Sequence, residues 1–403
     1  MRVLFLFLLY PKPHESSGMY AALVNEFVKN GHEVVIVSGS KNGESTSFTN
    51  ENNAEVLRVK TQRILNVHPI LKGIATVRFP FHLKKAISKY LTGRTFDLVI
   101  APTPTITFVD VIAFLKKKYP VKACLILRDI FPQNARDLGM MTNPLLFNYF
   151  RRKEKKLYRY CDYIGCMSQG NIDYVIKHNP EVSPKKLFLL PNWQKVAPPT
   201  EGDFSVKEKY GLKGKFVAIF GGNIGEPQKI ENIIVLAQAY HQNEDIVFLV
   251  IGEGTKKKYL EQLVALHNLK NVIVKDTLPR QDYERLVCNA DIGLISLSEK
   301  FTIPNIPSKT LSYFNAKIPI LAAIDEHTDY GQLLEKANAG LWSVTGDTGA
   351  YKQNFDTLYQ NAELRKCMGE NGYGYLLKYL TSERAYEAIV ENIENAEKNN
   401  SEI

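Results

Sequence analysis

Three turns in the second half of the chain carry residue types suited to holding a diphosphate. They read FGGNIGEPQK (Phe220–Lys229), IGEGTKKK (Ile251–Lys258) and IPSKTLSYFNAKIPIL (Ile306–Leu321). Each of the first two follows a short apolar run and precedes a helical pattern. A parallel α/β domain presents backbone N–H groups and cations to a phosphate in this way. Gly221 and Gly222 let the backbone approach a ligand closely. Lys229 adds a cation near the positive start of the next helix. The spacing is not that of a P-loop, so an NTPase is disfavoured. Gly252-Glu253-Gly254 repeats the pattern, followed by Lys256, Lys257 and Lys258. Cations on a first helical turn need an anion nearby or extend into water. Pro307-Ser308-Lys309 reads as a helix start with Pro at or near the first helical position. The amides of Asn305–Lys309 would then face an anion.

The first half offers fewer such groups. Ser16, Ser17 and Gly18 form a helix start after the first apolar run, with His14 as a polar contact or a plain surface residue. LRDIFPQN (Leu127–Asn134) ends a buried run with Arg128 and Asp129. Unpaired charge at that depth is costly, so Asp129 is a candidate carboxylate facing a site, or half of a structural pair with Arg128.

These groups need a scaffold, and the apolar runs supply one. In the first half they are Val3–Leu9, Val34–Val37, Val56–Val59, Leu98–Ala101, Ala123–Leu127, Tyr163–Met167 and Leu187–Leu190. In the second they are Phe216–Phe220, Ile246–Ile251, Val272–Val274, Ile292–Ile295 and Ile318–Ala322. Unbroken runs of this kind suit strands covered on both faces, with crossover helices between them. Two doubly wound α/β domains are predicted. The aperiodic, proline-containing stretch Asn192–Asp203 marks their boundary. A length of 403 residues also favours two domains.

The net charge is +9, from 51 Lys+Arg against 42 Asp+Glu, and favours an anionic partner. From Val56 to Phe96 there are nine basic residues and no acidic one. Apolar residues interleave with them over Ile74–Leu91, where Pro80 should start or kink a helix. Such a segment can lie on an anionic membrane, with Arg78, Phe79, Phe81, Lys84, Lys85 and Lys89 as its contacts, or it can simply cover a flank of the sheet. A second basic run, Arg151–Arg159, adds to the positive first half. Nucleic acid would fit the charge but not the turns. The five cysteines show no CxxC spacing and no histidine cluster, so buried thiols are expected rather than a metal site or disulfides. No apolar run reaches the length of a membrane span. Met1–Leu9 reads as a first strand rather than an export signal, which places the chain in the cytoplasm.

Taken in order, the motifs resemble a retaining GT-B glycosyltransferase of family four. They are SSGMYAALVNEFVKNGHEV, LRDIFPQN, FRRKEKKLYRYCDYIGCMS, LPNW, FGGNIGEPQKIENIIVLAQA, LVIGEGTKKKYLEQL, NADIGLISL and IPSKTLSYFNAKIPILA. The resemblance is closest to bacterial O-antigen or capsule enzymes that add an N-acetyl-aminosugar, such as N-acetyl-fucosamine, to a lipid-linked acceptor. It implies two Rossmann-like domains facing a cleft. One spans 1–195, with a C-terminal helix from about 380 to 403 packing back on it, and binds the acceptor. The other spans 204–379 and holds the nucleotide sugar. By resemblance, Asn223 and Lys229 stabilise charge on the donor diphosphate, and Asp129 or His14 orients donor or acceptor. Ser17, Gly18, Gly222, Gly252, Ile306, Pro307, Ser308 and Lys309 would contact the donor, with Val274–Leu278, including Lys275 and Leu278, as the edge for the base. The donor would be a UDP-sugar, with no metal and no other cofactor. The acceptor would be a polyprenyl-pyrophosphate-linked saccharide at the inner face of the cell membrane. Two departures stand out. Many relatives have Arg where Asn223 stands, although the lipid-acceptor subgroup often has Asn. The family's paired glutamates fall on Pro304 and Ser312, and Ser312 offers ribose hydroxyls only a shorter, uncharged contact. A non-catalytic scaffold in polysaccharide assembly and a nucleotide-sugar epimerase are the alternatives.

Overall fold

The computed structural model describes residues 1–15, 18–63, 68–197 and 205–401. They divide into two compact units, Met1–Lys195 with Ser382–Ile403, and Val196–Thr381.

The strands of the first unit are β1 (Arg2–Leu9), β2 (Glu33–Gly39), β3 (Ser47–Glu51), β4 (Ala54–Val59), β5 (Leu98–Pro102), β6 (Lys122–Leu127), β7 (Tyr163–Cys166) and β8 (Leu187–Leu189). They form one sheet in the order β3-β4-β2-β1-β5-β6-β7-β8, parallel except for the β3–β4 pair. Its helices are α1 (Met19–Lys29), α2 (Pro69–Tyr90), α3 (Val109–Lys118), α4 (Gln133–Asp137), α5 (Pro144–Tyr160) and α6 (Gln169–His178). The apolar runs form the central strands, and Val3–Phe7 and Val99–Ala101 are almost wholly buried. β3 was not legible as a strand. Its SFTNE sequence has one large apolar residue, and antiparallel pairing with β4 at the sheet edge supplies its order. Cys124, Cys161 and Cys166 are buried thiols, and desolvation pushes Cys161 and Cys166 up to about 12.

Pro80 does not start the helix, because α2 begins at Pro69 and runs through it. Pro80 deprives the Thr76 carbonyl of its helical donor. On both sides of Pro80 the same face is buried, with Ala75, Phe79, Leu83 and Ile87 four residues apart.

The second unit has β9 (Phe216–Gly221), β10 (Ile246–Ile251), β11 (Val272–Lys275), β12 (Ile292–Ser296), β13 (Ile320–Ile324) and β14 (Gly340–Val344). They form an all-parallel sheet in the order β11-β10-β9-β12-β13-β14. Its helices are α7 (Ser205–Lys209), α8 (Glu231–Ala239), α9 (Lys257–Leu266), α10 (Arg280–Cys288), α11 (Lys309–Asn315), α12 (Tyr330–Ala337), α13 (Thr348–Gln360) and α14 (Ala362–Tyr379). The strand order reverses between β9 and β12. The carboxyl ends at such a reversal are where open α/β sheets bind ligands.

The last helix, α15 (Ser382–Ser401), belongs to the first unit. It lies against α1, with Ala385, Ile389 and Ile393 in the same core cluster as Leu23 and Phe27. Tyr386 Oη lies 2.8 Å from His32 Nε2, and Ser382 Oγ donates to Glu26 Oε1 at 3.1 Å.

Candidate functional site

The turn after β9 and the loop after β12 meet at the strand-order reversal of the second sheet. Lys229 sits at the end of a short 3₁₀ turn, Glu226–Gln228, with φ at 22° and ψ at 63°. A side chain in the left-handed region costs ~1–2 kcal/mol, so this backbone is held there by its surroundings. The Lys229 ammonium ion-pairs with Glu299 from the loop after β12. Partial burial pulls the Glu299 carboxyl upward, but the Lys229 hydrogen bond, a backbone amide and the charges of Lys229 and Lys300 leave it below its ordinary range.

Lys309 opens α11 and lies deeper. The residue is half-buried, while its ammonium end is enclosed. Nζ sits 4.3 Å from the centre of the Phe220 ring and donates to Gln228 Oε1. A Cβ placed on Gly222 would lie 3.5 Å from Lys309 Cε. No carboxylate among the described residues pairs with this ammonium, and desolvation lowers it to about 7. Gln228 joins the two cations, since it accepts from Lys309 and precedes Lys229 in the chain. Ser312 lies one turn beyond Lys309 on the same helix face.

Within the glycine turns, three amides expected to face a ligand are engaged by the chain itself. The Gly222 N–H donates to Ile251 O at 2.9 Å, Ile224 N–H to Glu253 O at 2.8 Å and Gly252 N–H to Lys275 O at 3.0 Å. A Cβ on Gly252, where φ is 152°, would stand 1.8 Å from Gly222 O, and one on Gly254 2.1 Å from Ile224 O. These two glycines are required because adjacent turns pack backbone on backbone. Lys256 and Lys257 find internal anions: Lys256 pairs with Glu226 at 2.8 Å, and Lys257 with Glu253 at 3.1 Å and with Asp276. Hydrogen bonds from Lys256 and then Lys300 hold the Glu226 carboxyl below its usual range. Glu226, Lys256 and Lys300 line a recess of about 60 Å³ with Lys229.

The third turn also differs from expectation. Pro307 precedes the helix, Ser308 is its first flanking residue, and α11 is only seven residues long. Its end field is therefore weak, and its contribution is the Lys309 cation. The Asn305 N–H is taken by Thr328 Oγ1 at 3.3 Å, whose hydroxyl donates to Asn305 O at 2.7 Å. Ile306 and Pro307 are buried, and the amides of Ser308 and Lys309 have no hydrogen-bond partner among the described residues. Asn223 and Lys275 are exposed and Leu278 half-buried.

In the first unit, Asp129 and Arg128 follow β6, and both backbone amides donate to Thr103 Oγ1 at 2.8 Å. Their charged ends are enclosed. Burial raises the Asp129 carboxyl, with Arg128 opposing the shift, and Arg128 Nε has no hydrogen-bond partner among the described residues. Gly18 caps α1 and is exposed, and His14 is exposed on the preceding loop. Ser16 and Ser17 lie outside the described residues.

Of the proposed membrane contacts, Phe79 is a core residue, 1% exposed and packed on Phe108 at 5.9 Å. The sequence pattern could not separate the two faces of a helix that is apolar on both. Arg78, Phe81, Lys85 and Lys89 are exposed, and Lys84 is half-exposed. Phe81, at 62%, continues an exposed apolar row of Leu71, Ile74 and Val77. Two of the nine basic residues in the segment are committed internally, Arg58 to Glu51 and Arg94 to Glu55. No described helix is long and apolar enough to cross a membrane.

Reading the sequence missed Gln228, Glu299, Phe220, Ser296 and Asn232. A signal existed for Ser296, the one hydroxyl in the apolar run IGLIS. Gln228 and Glu299 sit in polar stretches where nothing distinguishes them.

Comparison with known proteins assigns the two halves. Residues 19–193 match the Glycosyltransferase Family 4 model and residues 204–375 the model of Glycosyl transferases group 1. The glycosyltransferase WbjE of Pseudomonas aeruginosa is 25% identical over 256 residues, 62% of either chain. The colanic acid biosynthesis glycosyl transferase WcaI of Escherichia coli (strain K12) is 24% identical over 182 residues, 43% of either chain. The matches therefore span under two thirds of these relatives. HepE of Anabaena, solved in complex with UDP, superposes with a TM-score of 0.69 at 14% identity, covering 98% of this chain and 100% of that one. The chain thus has the GT-B fold, with a Glycosyltransferase Family 4 domain in its first half and a Glycosyl transferases group 1 domain in its second.

Proposed function

We propose that the protein transfers a sugar, an N-acetyl-aminosugar in the first instance, from a UDP-linked donor to a polyprenyl-pyrophosphate-linked saccharide in bacterial surface polysaccharide synthesis. The observation that carries this reading is the Lys309 ammonium. Among the described residues it is enclosed at the strand-order reversal by an aromatic face and a neutral acceptor, with no carboxylate paired to it. An enclosed cation without a counter-charge is costly, and a donor diphosphate would supply that charge. Lys229, at the rim, would exchange Glu299 for the same anion. As the bond from sugar to phosphate breaks, negative charge grows on the leaving diphosphate, and two preorganised cations stabilise it there. They would do so without a metal, with attack from the leaving-group face giving retention. Asp129, enclosed and raised, suits orientation of a sugar hydroxyl better than the solvated His14. The exposed row on α2 with Arg78, Lys85 and Lys89 suits an anionic inner membrane face, where a lipid-linked acceptor would be met. Polysaccharide synthesis is supported by the name WcaI carries. The proline and serine at 304 and 312 favour a second reading, a scaffold that binds no donor.

The test is to incubate the protein with a panel of UDP-sugars and an undecaprenyl-pyrophosphoryl monosaccharide. A disaccharide-lipid is the expected product. UDP binding without product would favour an inactive receptor, and neither binding nor product would leave only the scaffold.

A further inference from the structure

Lys229 holds an unfavourable backbone conformation, and the structure assigns the device that keeps it there. We propose that Ser296 and Asn232 are positioning residues, which fix the Lys229 carbonyl and so aim its ammonium at the donor anion. The inference rests on the proposed donor role of Lys229.

Ser296 ends β12 and is fully buried. Its Oγ donates to Lys229 O at 2.8 Å and accepts from Asn232 Nδ2 at 2.9 Å. A serine hydroxyl has one donor and two acceptor positions, so both bonds form together. Asn232, on the first turn of α8, is also buried, and its own amide N–H donates to the same Lys229 carbonyl at 3.1 Å. The chain extends through Thr345, whose Oγ1 lies 3.5 Å from Asn232 Nδ2 and donates to Leu297 O at 2.8 Å. One residue further along the loop after β12, the Ser298 N–H donates to Pro227 O at 3.0 Å.

The Lys229 carbonyl is thus gripped from β12 and from α8, and the 3₁₀ turn before it is tied to the β12 loop. Buried polar chains of this kind are rigid when every member is satisfied. Neither Ser296 nor Asn232 is placed to touch the ligand. Without them, a lysine would relax out of the left-handed region, because nothing in its side chain favours it. The ammonium would then leave its place beside Glu299. Ser296 interrupts an otherwise apolar strand, and Asn232 is the only polar buried residue of α8, which is the pattern expected where a helix and a strand end share one task.

The test is UDP affinity by titration calorimetry on the full chain, with four variants. Lys229→Ala should weaken UDP binding by about two orders of magnitude. Ser296→Thr keeps the hydroxyl and Ser296→Val removes it at nearly the same volume, so packing strain is common to both. The valine variant should bind UDP about tenfold more weakly than the threonine variant, at matched melting temperature. The double variant Ser296→Val/Lys229→Ala should be no weaker than Lys229→Ala alone, because the serine acts through the lysine. Equal affinities for the valine and threonine variants, or additive losses in the double variant, would overturn the positioning role. If Lys229→Ala itself binds UDP normally, the donor role of Lys229 fails instead.

Discussion

At the carboxyl edge of the second sheet, Lys309 is enclosed with neutral partners, and the carboxylates around it are already engaged at the rim by Lys229, Lys256, Lys257 and Lys300. At the carboxyl edge of the first, Arg128 and Asp129 are enclosed side by side and share Thr103. A lone enclosed cation asks for an anion from outside, whereas an adjacent cation and carboxylate offset each other's burial in part, here by less than burial costs them. The two halves have the same layered plan, yet among the described residues the second encloses an ammonium with no carboxylate beside it, and the first encloses a cation with one. The first leaves a carboxyl that can hold or accept a hydrogen bond.

The largest effect that would break this contrast is at Lys309. Lys309→Met should weaken UDP binding by at least a hundredfold, about 2.7 kcal/mol, and raise the melting temperature. The sign follows from burial. The folded value of about 7 lies below the unfolded 10.5. Between them the unfolded chain binds more protons, so stability rises with pH from about 7 to about 10.5, and the full cost of burial is felt below 7. UDP affinity should run the opposite way, strongest below pH 7 and declining above it as the ammonium is lost. Calorimetry and melting curves from pH 6 to 9 check both, and a pH-independent affinity would break the contrast.

A smaller effect is expected at Asp129. Its carboxyl is raised, so the native state binds the extra proton and loses stability as pH rises through the native value. Asp129→Asn should therefore leave the melting temperature at pH 7 unchanged or higher. UDP affinity should stay within about twofold while transfer to acceptor falls about tenfold. A loss of UDP affinity equal to that of Lys309→Met would erase the distinction between the two edges. The smallest effect concerns α2. Lys85→Glu with Lys89→Glu should reduce cosedimentation with anionic vesicles several-fold, at about 1 kcal/mol per cation, and added salt should shrink the difference. Donor binding should not change.

The sheets were legible because strands covered on both faces are runs of apolar residues with little else in them. β3 and β14 were not, since SFTNE has one large apolar residue and GLWSV has its short apolar run broken by a serine. Lys229 and Lys309 stood out as cations beside glycine or proline turns. Their ranking did not, because depth depends on which residues close over an ammonium, and Phe220 and Gln228 are close to Lys309 only in space. The purpose of Gly252 was misread for a related reason. A glycine admits close approach of any backbone, and the chain's own turn is as good a visitor as a ligand. Phe79 was assigned outward because α2 carries apolar residues on both faces.

The interlock of the Gly222 and Gly252 turns has a consequence for redesign. With Gly252 stacked on one carbonyl and Gly254 on another, the two turns form a single part that no side chain can wedge apart. Transplanting one of them from another transferase would import a surface that no longer nests with its neighbour. Exchange of donor preference should succeed when both turns travel together, with residues 220–225 and 251–256 treated as one cassette, or when changes are confined to the side chains at its rim.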